Sequence, residues 1–352
     1  MSTAEAWTVG RLLTWTADYL KKHGSTSPRL DAEVLLAEAR GCQRIELYTA
    51  FAEEPSEEVR ASFKEMVRRR AEGTPVAYLV GRKEFFSLPF EINPDVLIPR
   101  PETEHLVVEA VDRAKKLTRQ DPGSEPAAPA RDTDRAAAKQ PNAAELSARE
   151  PGAMQVISND DDAAIAPGAG QGGLRPRPSK SFAQLTIADI GTGSGAVAVS
   201  LAKSLPGAQI IALDISTPAL ELAGRNVERH GVSAQITLVE SDLLSAVAGK
   251  PFDMIVSNPP YVTEAEYAQL PTSVRNYEPR TALVGGVNGT EIIARLIAQA
   301  AAQLKAGGWL LMEISPTIAD SILTLLDRKL WSEPTITKDL SGHARIVSAC
   351  RL

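Results

Sequence analysis

Asn258-Pro259-Pro260-Tyr261 directly follows the apolar run FDMIVS at 252–257, and these residue types have an evident chemical use. Two prolines cannot continue a parallel ladder and carry no N–H, so the chain must leave the sheet stiffly here, with its carbonyls free. Such a corner suits a planar nitrogen. The lone pair of an amide or of an aromatic amine is delocalised, and acceptors on its two N–H groups help to return nucleophilicity. The side-chain oxygen of Asn258 and the carbonyl of Pro259 are the acceptors expected to take those hydrogens, with Pro260 holding the turn and Tyr261 packing on the flat group. A simple turn with an aromatic plug is the alternative reading.

A second constellation lies upstream, where Asp189-Ile190-Gly191-Thr192-Gly193-Ser194-Gly195 stands between an apolar run and a helical pattern. In open α/β sheets that position binds ligands, since glycines let the backbone approach and a helix N-terminus favours an anion. Taken alone the loop is ambiguous: Gly191, Gly193 and Ala196 also satisfy a dinucleotide pattern ending in alanine, so an NAD-type cofactor and S-adenosylmethionine stay open. Asp214 ends the next apolar run and is expected to accept from ribose hydroxyls, a sugar that both cofactors contain. Asp242 follows the third run, where it would meet an adenine amino group beside Leu243 and Leu244; capping a helix is its alternative role. The glycine loop, the two aspartates and the proline corner together favour methyl transfer from a sulfonium, which needs positioning and an in-line approach and no covalent enzyme intermediate.

The elements that must position these residues follow from periodicity. From Leu185 onward short apolar runs alternate with helical patterns: LTIADI, a helix to about Leu205, QIIALD, a helix from Pro218 to His230, QITLVE, then FDMIVS. Later come a helix from about Glu291 to Leu304, the run WLLMEI, a helix around 318–330 and two strands near Ile336 and Ile346. Alternating β and α with strands buried on both faces predicts an α/β fold, a doubly wound, mostly parallel sheet whose closely paired last strands give an antiparallel end.

Ahead of this, apolar spacing predicts a helical bundle. Leu12, Leu13, Trp15, Ala17, Tyr19 and Leu20 share one amphipathic segment. Ser27-Pro28 supplies an N-cap and first-turn proline for a second helix closed by Gly41, and Ser56 opens a third closed by Gly73. Arg68, Arg69 and Arg70 at the end of that helix read as a solvated face offsetting the dipole, with a contact patch for RNA or an acidic partner as the alternative. Aromatic and β-branched residues punctuated by Pro89 and Asn93-Pro94-Asp95 predict a β-hairpin linker, and Pro101 starts a further helix. The boundaries expected are 1–82 for the bundle, 83–100 for the linker and 101–352 for the catalytic part. From 118 to 181 the chain is rich in Ala, Pro, Gly, Asp and Arg with few aromatic or β-branched residues, and is expected to be a disordered insert.

Bulk properties narrow the functions further. The chain has 352 residues, 43% hydrophobic and 23% charged, which suits a globular protein of two modest domains. A formal net charge of −6 argues against a protein that lives on a phosphate backbone. Two cysteines, Cys42 and Cys350, and four histidines show no ligand spacing, so no metal is expected and the cysteines are expected to be reduced. The beginning MSTAEAWTVGRLLTW carries an early Glu5 and no basic region or long apolar stretch, and no run reaches the roughly 20 apolar residues of a membrane span, so a cytoplasmic protein is expected; a monomer is expected separately.

With these residues in view the chain resembles the HemK/PrmC family of release-factor glutamine methyltransferases. The likeness spans nearly everything outside 118–181 and includes TPVAYLVGRKEFFSLPF at 74–90, LIPRPETE at 97–104 and YEPRTALVGG at 277–286 beside the GTGSG and NPPY motifs. It implies a class I methyltransferase domain, of Rossmann-like build with a seven-stranded sheet, and a small N-terminal bundle that helps dock a release factor. It also implies S-adenosylmethionine held by the loop Gly191 to Gly195 and by Asp189, Asp214, Asp242, Leu243 and Asn258. The substrate implied is the glutamine of a Gly-Gly-Gln tip, held by Asn258 to Tyr261, and no direct nucleic-acid partner is expected. After Glu313 this chain departs from the family pattern, with Ile314, Ser315 and Pro316 where Ile-Gly and a later Gln are expected. The rival reading is a nucleic-acid methyltransferase acting on the exocyclic amine of adenine or guanine, which should carry a basic recognition surface.

Overall fold

The computed structural model describes residues 6–118 and 182–352, so of the expected disordered insert only Thr118 falls among the described residues. Among the described residues no helix is long and apolar enough to cross a membrane.

The N-terminal helices are α1 (Val9–Lys22), α2 (Pro28–Arg40), α3 (Glu46–Thr49), α4 (Glu57–Ala71) and α5 (Val76–Val80). Their shared core is Leu13, Leu20, Leu35, Leu36, Leu47 and Phe63, all but inaccessible to solvent. Trp15 lies on the outer face of α1, half exposed and stacked on Tyr19 at 5.1 Å between ring centres. Ser27 occupies the N-cap position of α2 but its side chain makes no capping bond. The Ser25 hydroxyl takes over that end, accepting from the Ser27 N–H at 3.2 Å and donating to the Asp31 carboxylate at 2.7 Å. Asp31 is mostly buried and also accepts from Arg70 Nε at 2.8 Å, so Arg70 is an internal ion-pair partner. Arg68 instead pairs on the surface with Glu65 and Glu72. The three arginines therefore do not act as one patch.

Strands β1 (Arg82–Phe85) and β2 (Leu88–Glu91) form the expected hairpin, antiparallel with Phe85 opposite Leu88. Phe86 and Ser87 make the turn with φ of 52° and 58°, the left-handed pair that a two-residue hairpin of this twist demands. Helix α6 (Glu104–Leu117) follows, preceded by a single 3-10 turn at Pro101–Thr103 in place of a regular α start.

Next come β3 (Thr186–Ile190), α7 (Ala196–Ser204), β4 (Gln209–Asp214), α8 (Thr217–Arg229), β5 (Ile236–Glu240) and β6 (Phe252–Ser257). A two-stranded parallel pair, β7 (Val262–Thr263) and β8 (Val284–Gly286), brackets the short helices α9 (Glu264–Tyr267) and α10 (Thr272–Arg275). The chain ends with α11 (Glu291–Gln303), β9 (Leu304–Glu313), α12 (Ala319–Leu325), β10 (Thr335–Lys338) and β11 (Ala344–Cys350). Helix α12 stops short of the expected 330 because the chain turns to bury Leu326 and Trp331, the latter bridging to Arg351.

The seven-stranded sheet has the order β10-β11-β9-β6-β3-β4-β5; β9, β6, β3, β4 and β5 are parallel neighbours, and β11 alone runs in the opposite direction, pairing antiparallel with both β9 and β10. One face packs α6, α7 and α8 and the other α11 and α12, each with its own apolar cluster. Strand order runs outward from β3 to β5 and then resumes at β6 on the other side of β3. A crevice must open where the chain departs in two directions, at the carboxyl ends of β3 and β6. The Ser257 hydroxyl donates to the Ile190 carbonyl at 2.9 Å and ties these two ends together.

Several contacts fasten the hairpin beside this crevice, among them the Phe86 N–H to Glu104, Arg225 to Glu91 and a clamp by one buried side chain. Asn226, fully buried on α8, accepts from the Glu91 N–H at 2.8 Å and donates to the Glu91 carbonyl at 3.0 Å and to the Ser194 carbonyl at 2.9 Å. Asn226→Ala strands several buried backbone groups, and denaturant unfolding is expected to register a loss of about 2–4 kcal/mol. A loss under about 0.5 kcal/mol, the range of ordinary surface substitutions, would mean the clamp contributes nothing.

Candidate functional site

The crevice is a cleft of about 380 Å³ at the carboxyl ends of β3, β4, β5 and β6. Gly191, Thr192, Gly193 and Ser194 form one wall, Asp214 and Ile215 the next, Asp242 and Leu243 the far end, and Asn258 with Pro260 the opposite side. Leu97 and Arg100 from the linker and Pro279 and Ala282 from the segment before β8 close over it.

The glycine loop turns through left-handed backbone at Gly191 (φ 69°), Gly193 (φ 53°) and Gly195 (φ 79°), conformations that side chains resist. A Cβ on Gly191 would sit 4.0 Å from the Asn258 carbonyl, so loop and proline corner face each other with only a methyl's width between. Gly195 instead allows helix packing, since its Cβ would meet Ala223 at 3.3 Å. Asp189, expected to contact a cofactor, does not line the cleft. It is buried beneath the loop and accepts through Oδ2 from the Thr192 hydroxyl at 2.7 Å and the Ala198 N–H at 3.1 Å. Burial pushes its carboxyl up to about 7, against the pull of those two donors.

Asp214 is fixed by backbone on both oxygens, Oδ2 accepting from Gly193 N at 2.8 Å and Oδ1 from Ser216 N at 3.0 Å. Its remaining lone pairs face the cleft, an arrangement suited to a pair of hydroxyls. Asp242 accepts from Arg295 Nη2 at 2.5 Å, and both side chains are about half exposed, a partner that sequence spacing could not supply. Leu243 holds a left-handed φ of 54°, which turns the chain over the end of the cleft.

At the proline corner, Asn258 Nδ2 donates to Thr103 Oγ1 at 3.1 Å. With its amide nitrogen engaged behind, the Asn258 oxygen is the atom left to accept. A smaller cavity of about 50 Å³ continues from Asn258 and is lined by Leu97, Arg100, Pro259, Tyr261 and Leu283. Tyr261 is largely buried and its hydroxyl is pushed up to about 12, chiefly by desolvation and then by the nearby Glu313 carboxyl. The smaller cavity thus meets Asn258, Pro259 and the Tyr261 ring, a set that suits a flat amide.

Two glycines missed as site residues set this corner from behind. A Cβ on Gly285 would fall 2.5 Å from the Pro260 carbonyl, and one on Gly289 would fall 2.3 Å from the Tyr261 carbonyl. Only residues without side chains let β8 and the following turn press the corner into place. Glu278 was likewise missed. Almost fully buried, it accepts from the Ile98 N–H at 3.2 Å and from Arg100 Nη2 at 2.5 Å, joining the linker to the YEPR segment over the cleft. Both partners lie within the quoted 97–104 and 277–286 segments, but nothing in the sequence pairs residues 178 apart.

Comparison with known proteins shows which chains this one is similar to. Residues 11–81 match the PrmC N-terminal domain and residues 178–273 the methyltransferase small domain. Among curated relatives, the release factor glutamine methyltransferase of Rhodopirellula baltica is 46% identical over 97% of this chain and 96% of its own length. That of Geobacter sulfurreducens is 34% identical over 97% and 96%. Among solved structures, the ribosomal protein L11 methylase of Lactobacillus delbrueckii is 25% identical, covering 47% of this chain and 69% of its own, with a TM-score of 0.35.

Gly285→Ala is expected to destabilise the protein by about 1–3 kcal/mol through overpacking against the Pro260 carbonyl. Gly224→Ala is the control, because its methyl would meet only Leu238 at 3.5 Å, and equal unfolding midpoints for the two would remove the role given to Gly285. For Asp189, the folded state holds a proton up to about 7 while the ordinary value is 3.8, so between those values the native state binds more protons than the unfolded. The stability of the wild type relative to Asp189→Asn should therefore fall as pH rises from about 4 to about 7. A flat difference across that window contradicts the buried, protonated state.

Proposed function

The chain belongs to the release factor glutamine methyltransferase family, and on that basis we propose that it transfers a methyl group from S-adenosylmethionine to the side-chain amide nitrogen, N5, of the glutamine in a release factor's Gly-Gly-Gln tip. One observation carries this reading: the glycine turn and the proline corner wall a single cleft, with Gly191 opposite the Asn258 carbonyl. Cofactor and nitrogen acceptor must be that close for a methyl group to pass directly between them.

The residues fit the cofactor. Asp214, held by two backbone amides, presents acceptor lone pairs for a ribose diol, and Ile215 and Leu243 offer apolar cover beside Asp242 for an adenine ring. Gly191, Thr192, Gly193 and Ser194 let the backbone come close, while Asp189 braces the loop from below. When bound, S-adenosylmethionine supplies a methyl group already activated by its sulfonium, so the chain's own task is positioning.

Asn258 and Pro259 accept the two N–H groups of the glutamine amide, through the Asn258 side-chain oxygen and the Pro259 carbonyl. Pro260 fixes the turn, and the Tyr261 ring packs on the amide plane in the smaller cavity. These acceptors draw electron density onto nitrogen and hold its lone pair toward the methyl carbon. With the methyl donor bound, the nitrogen would displace its thioether, forming the C–N bond as the S–CH3 bond breaks, and the N-methylated amide would lose its extra proton to water. No strong base is required, because a protonated amide is a strong acid. The N-terminal bundle helps to dock the release factor, a role its half-exposed Trp15, Tyr48 and Phe51 suit. The net charge of −6 does not favour a nucleic-acid substrate.

The test is incubation with labelled S-adenosylmethionine and, in parallel, a release factor, its tip Gln→Ala variant and duplex DNA, followed by mass spectrometry. Label on the glutamine alone is expected; label on nucleobases that spares the glutamine overturns the reading. In single-turnover assays Asn258→Ala should slow methyl transfer by about 10²–10³-fold, as for loss of one preorganised polar contact. An unchanged rate would take Asn258 out of the mechanism.

A further inference from the structure

The glutamine-binding corner leaves one thing undetermined by its own four residues. An Asn side chain can turn over by 180° with little change of shape, and the flipped form would aim an NH2 at the substrate's NH2, donor against donor. Asn258 needs a reason to keep its oxygen in front. Its nitrogen donates to Thr103 Oγ1, but a threonine hydroxyl can equally donate. The direction of that hydrogen bond depends on where the Thr103 proton goes.

Resting on the function proposed above, we propose that Glu313 is a positioning residue for methyl transfer: the carboxyl at the end of β9 receives the Thr103 and Tyr261 protons, and through Thr103 holds the Asn258 oxygen toward the cleft. The register brings it there. Ser257 on β6 pairs with Met312 on β9, so the next residues along these parallel strands are Asn258 and Glu313. Glu313 is 2% exposed, and its Oε2 is buried with no hydrogen-bond partner among the described residues. Such an oxygen is costly unless it serves an end. Thr103, at the start of α6, and Tyr261, in the corner, are the hydroxyl side chains beside this carboxyl, and their influence favours its ionised form.

The charged groups facing Glu313 are Glu102 beside Thr103, which opposes its ionisation, and Arg345 on β11, which favours it. Burial raises it to about 7. In either protonation state the group keeps an oxygen able to accept. In the proposed series the donors run one way, from Asn258 to Thr103 at 3.1 Å and on to Glu313, and the flipped amide would break it. Hydrogen bonds in such a buried series polarise one another, so the terminal acceptor is felt at the far end.

The test measures single-turnover rates on a release factor, together with S-adenosylmethionine affinity, for Glu313→Gln, Glu313→Met, Thr103→Val and the Thr103→Val/Glu313→Met double variant. Glu313→Gln, which keeps one acceptor oxygen, should lose about tenfold, the worth of one hydrogen bond. Glu313→Met should lose about 10²-fold through a misplaced amide, with cofactor affinity unchanged. The double variant should be no slower than the slower single variant, as for residues acting in one chain. Wild-type rates in either Glu313 variant, or losses that multiply in the double variant, overturn the proposal. A second readout does not depend on the substrate: the ¹⁵N side-chain resonance of Asn258, identified by its absence in Asn258→Asp, should show one exchange-protected proton that is lost in Glu313→Met and Thr103→Val. An unaltered resonance in Glu313→Met contradicts it. A wild-type chain that never labels the glutamine would sink the substrate assignment alone, with the resonance still deciding the role of Glu313.

Discussion

The chain leaves β6 at residues 258–261 as a corner held rigid by its own prolines and by neighbouring backbone, the constraint on which the proposed amide methylation depends. The two prolines stiffen the exit from β6. Gly285 and Gly289 allow backbone to press on the Pro260 and Tyr261 carbonyls at distances no side chain would permit. Thr103 takes the Asn258 nitrogen from behind, and the Ser257 hydroxyl locks the end of β6 to the end of β3, from which the glycine turn departs. The acceptors are thereby fixed before any ligand arrives, so little reorganisation is left for the moment of reaction.

The same economy governs the buried charges. Asp189 and Glu313 are carboxyls placed where water cannot reach, one under the cofactor loop and one behind the proline corner. Burial holds both near neutral pH values, and the hydroxyls of Thr192, Thr103 and Tyr261 act against that rise. Asp189 orders the glycine loop through Thr192 and Ala198, and Glu313 is proposed to order the corner, which apolar packing could not do with the same directionality. Glu278 does a comparable task at the mouth of the cleft, where its two oxygens hold the linker through Ile98 and Arg100.

Much of this was legible in the sequence. Strand and helix alternation from Leu185 onward predicted a doubly wound, mostly parallel sheet with an antiparallel end, because buried parallel strands read as continuous apolar runs, whereas the order of its strands came only from the structure. The NPPY corner, the GTGSG loop, Asp214 and Asp242 were recognisable by residue type at strand ends, and they do line or brace one crevice. Long-range partnerships were not legible. Asn226 gripping Glu91, Arg100 gripping Glu278 and Arg295 gripping Asp242 join residues remote along the chain, and periodicity carries no information about such pairs. Ser27 and Arg70 misled for the same reason: a local rule assigned a cap and a solvated face, and tertiary partners around Asp31 overrode both.

The central claim is that the Asn258 oxygen and the Pro259 carbonyl hold the substrate amide while the glycine turn holds the methyl donor. A crystal structure with S-adenosylhomocysteine and a peptide bearing the Gly-Gly-Gln tip tests it most directly. The glutamine nitrogen is expected at hydrogen-bond distance, about 2.7–3.2 Å, from both oxygens and in line with the cofactor sulfur. A glutamine lying outside the cavity bounded by Pro259 and Tyr261, or met by the Asn258 nitrogen, would contradict it.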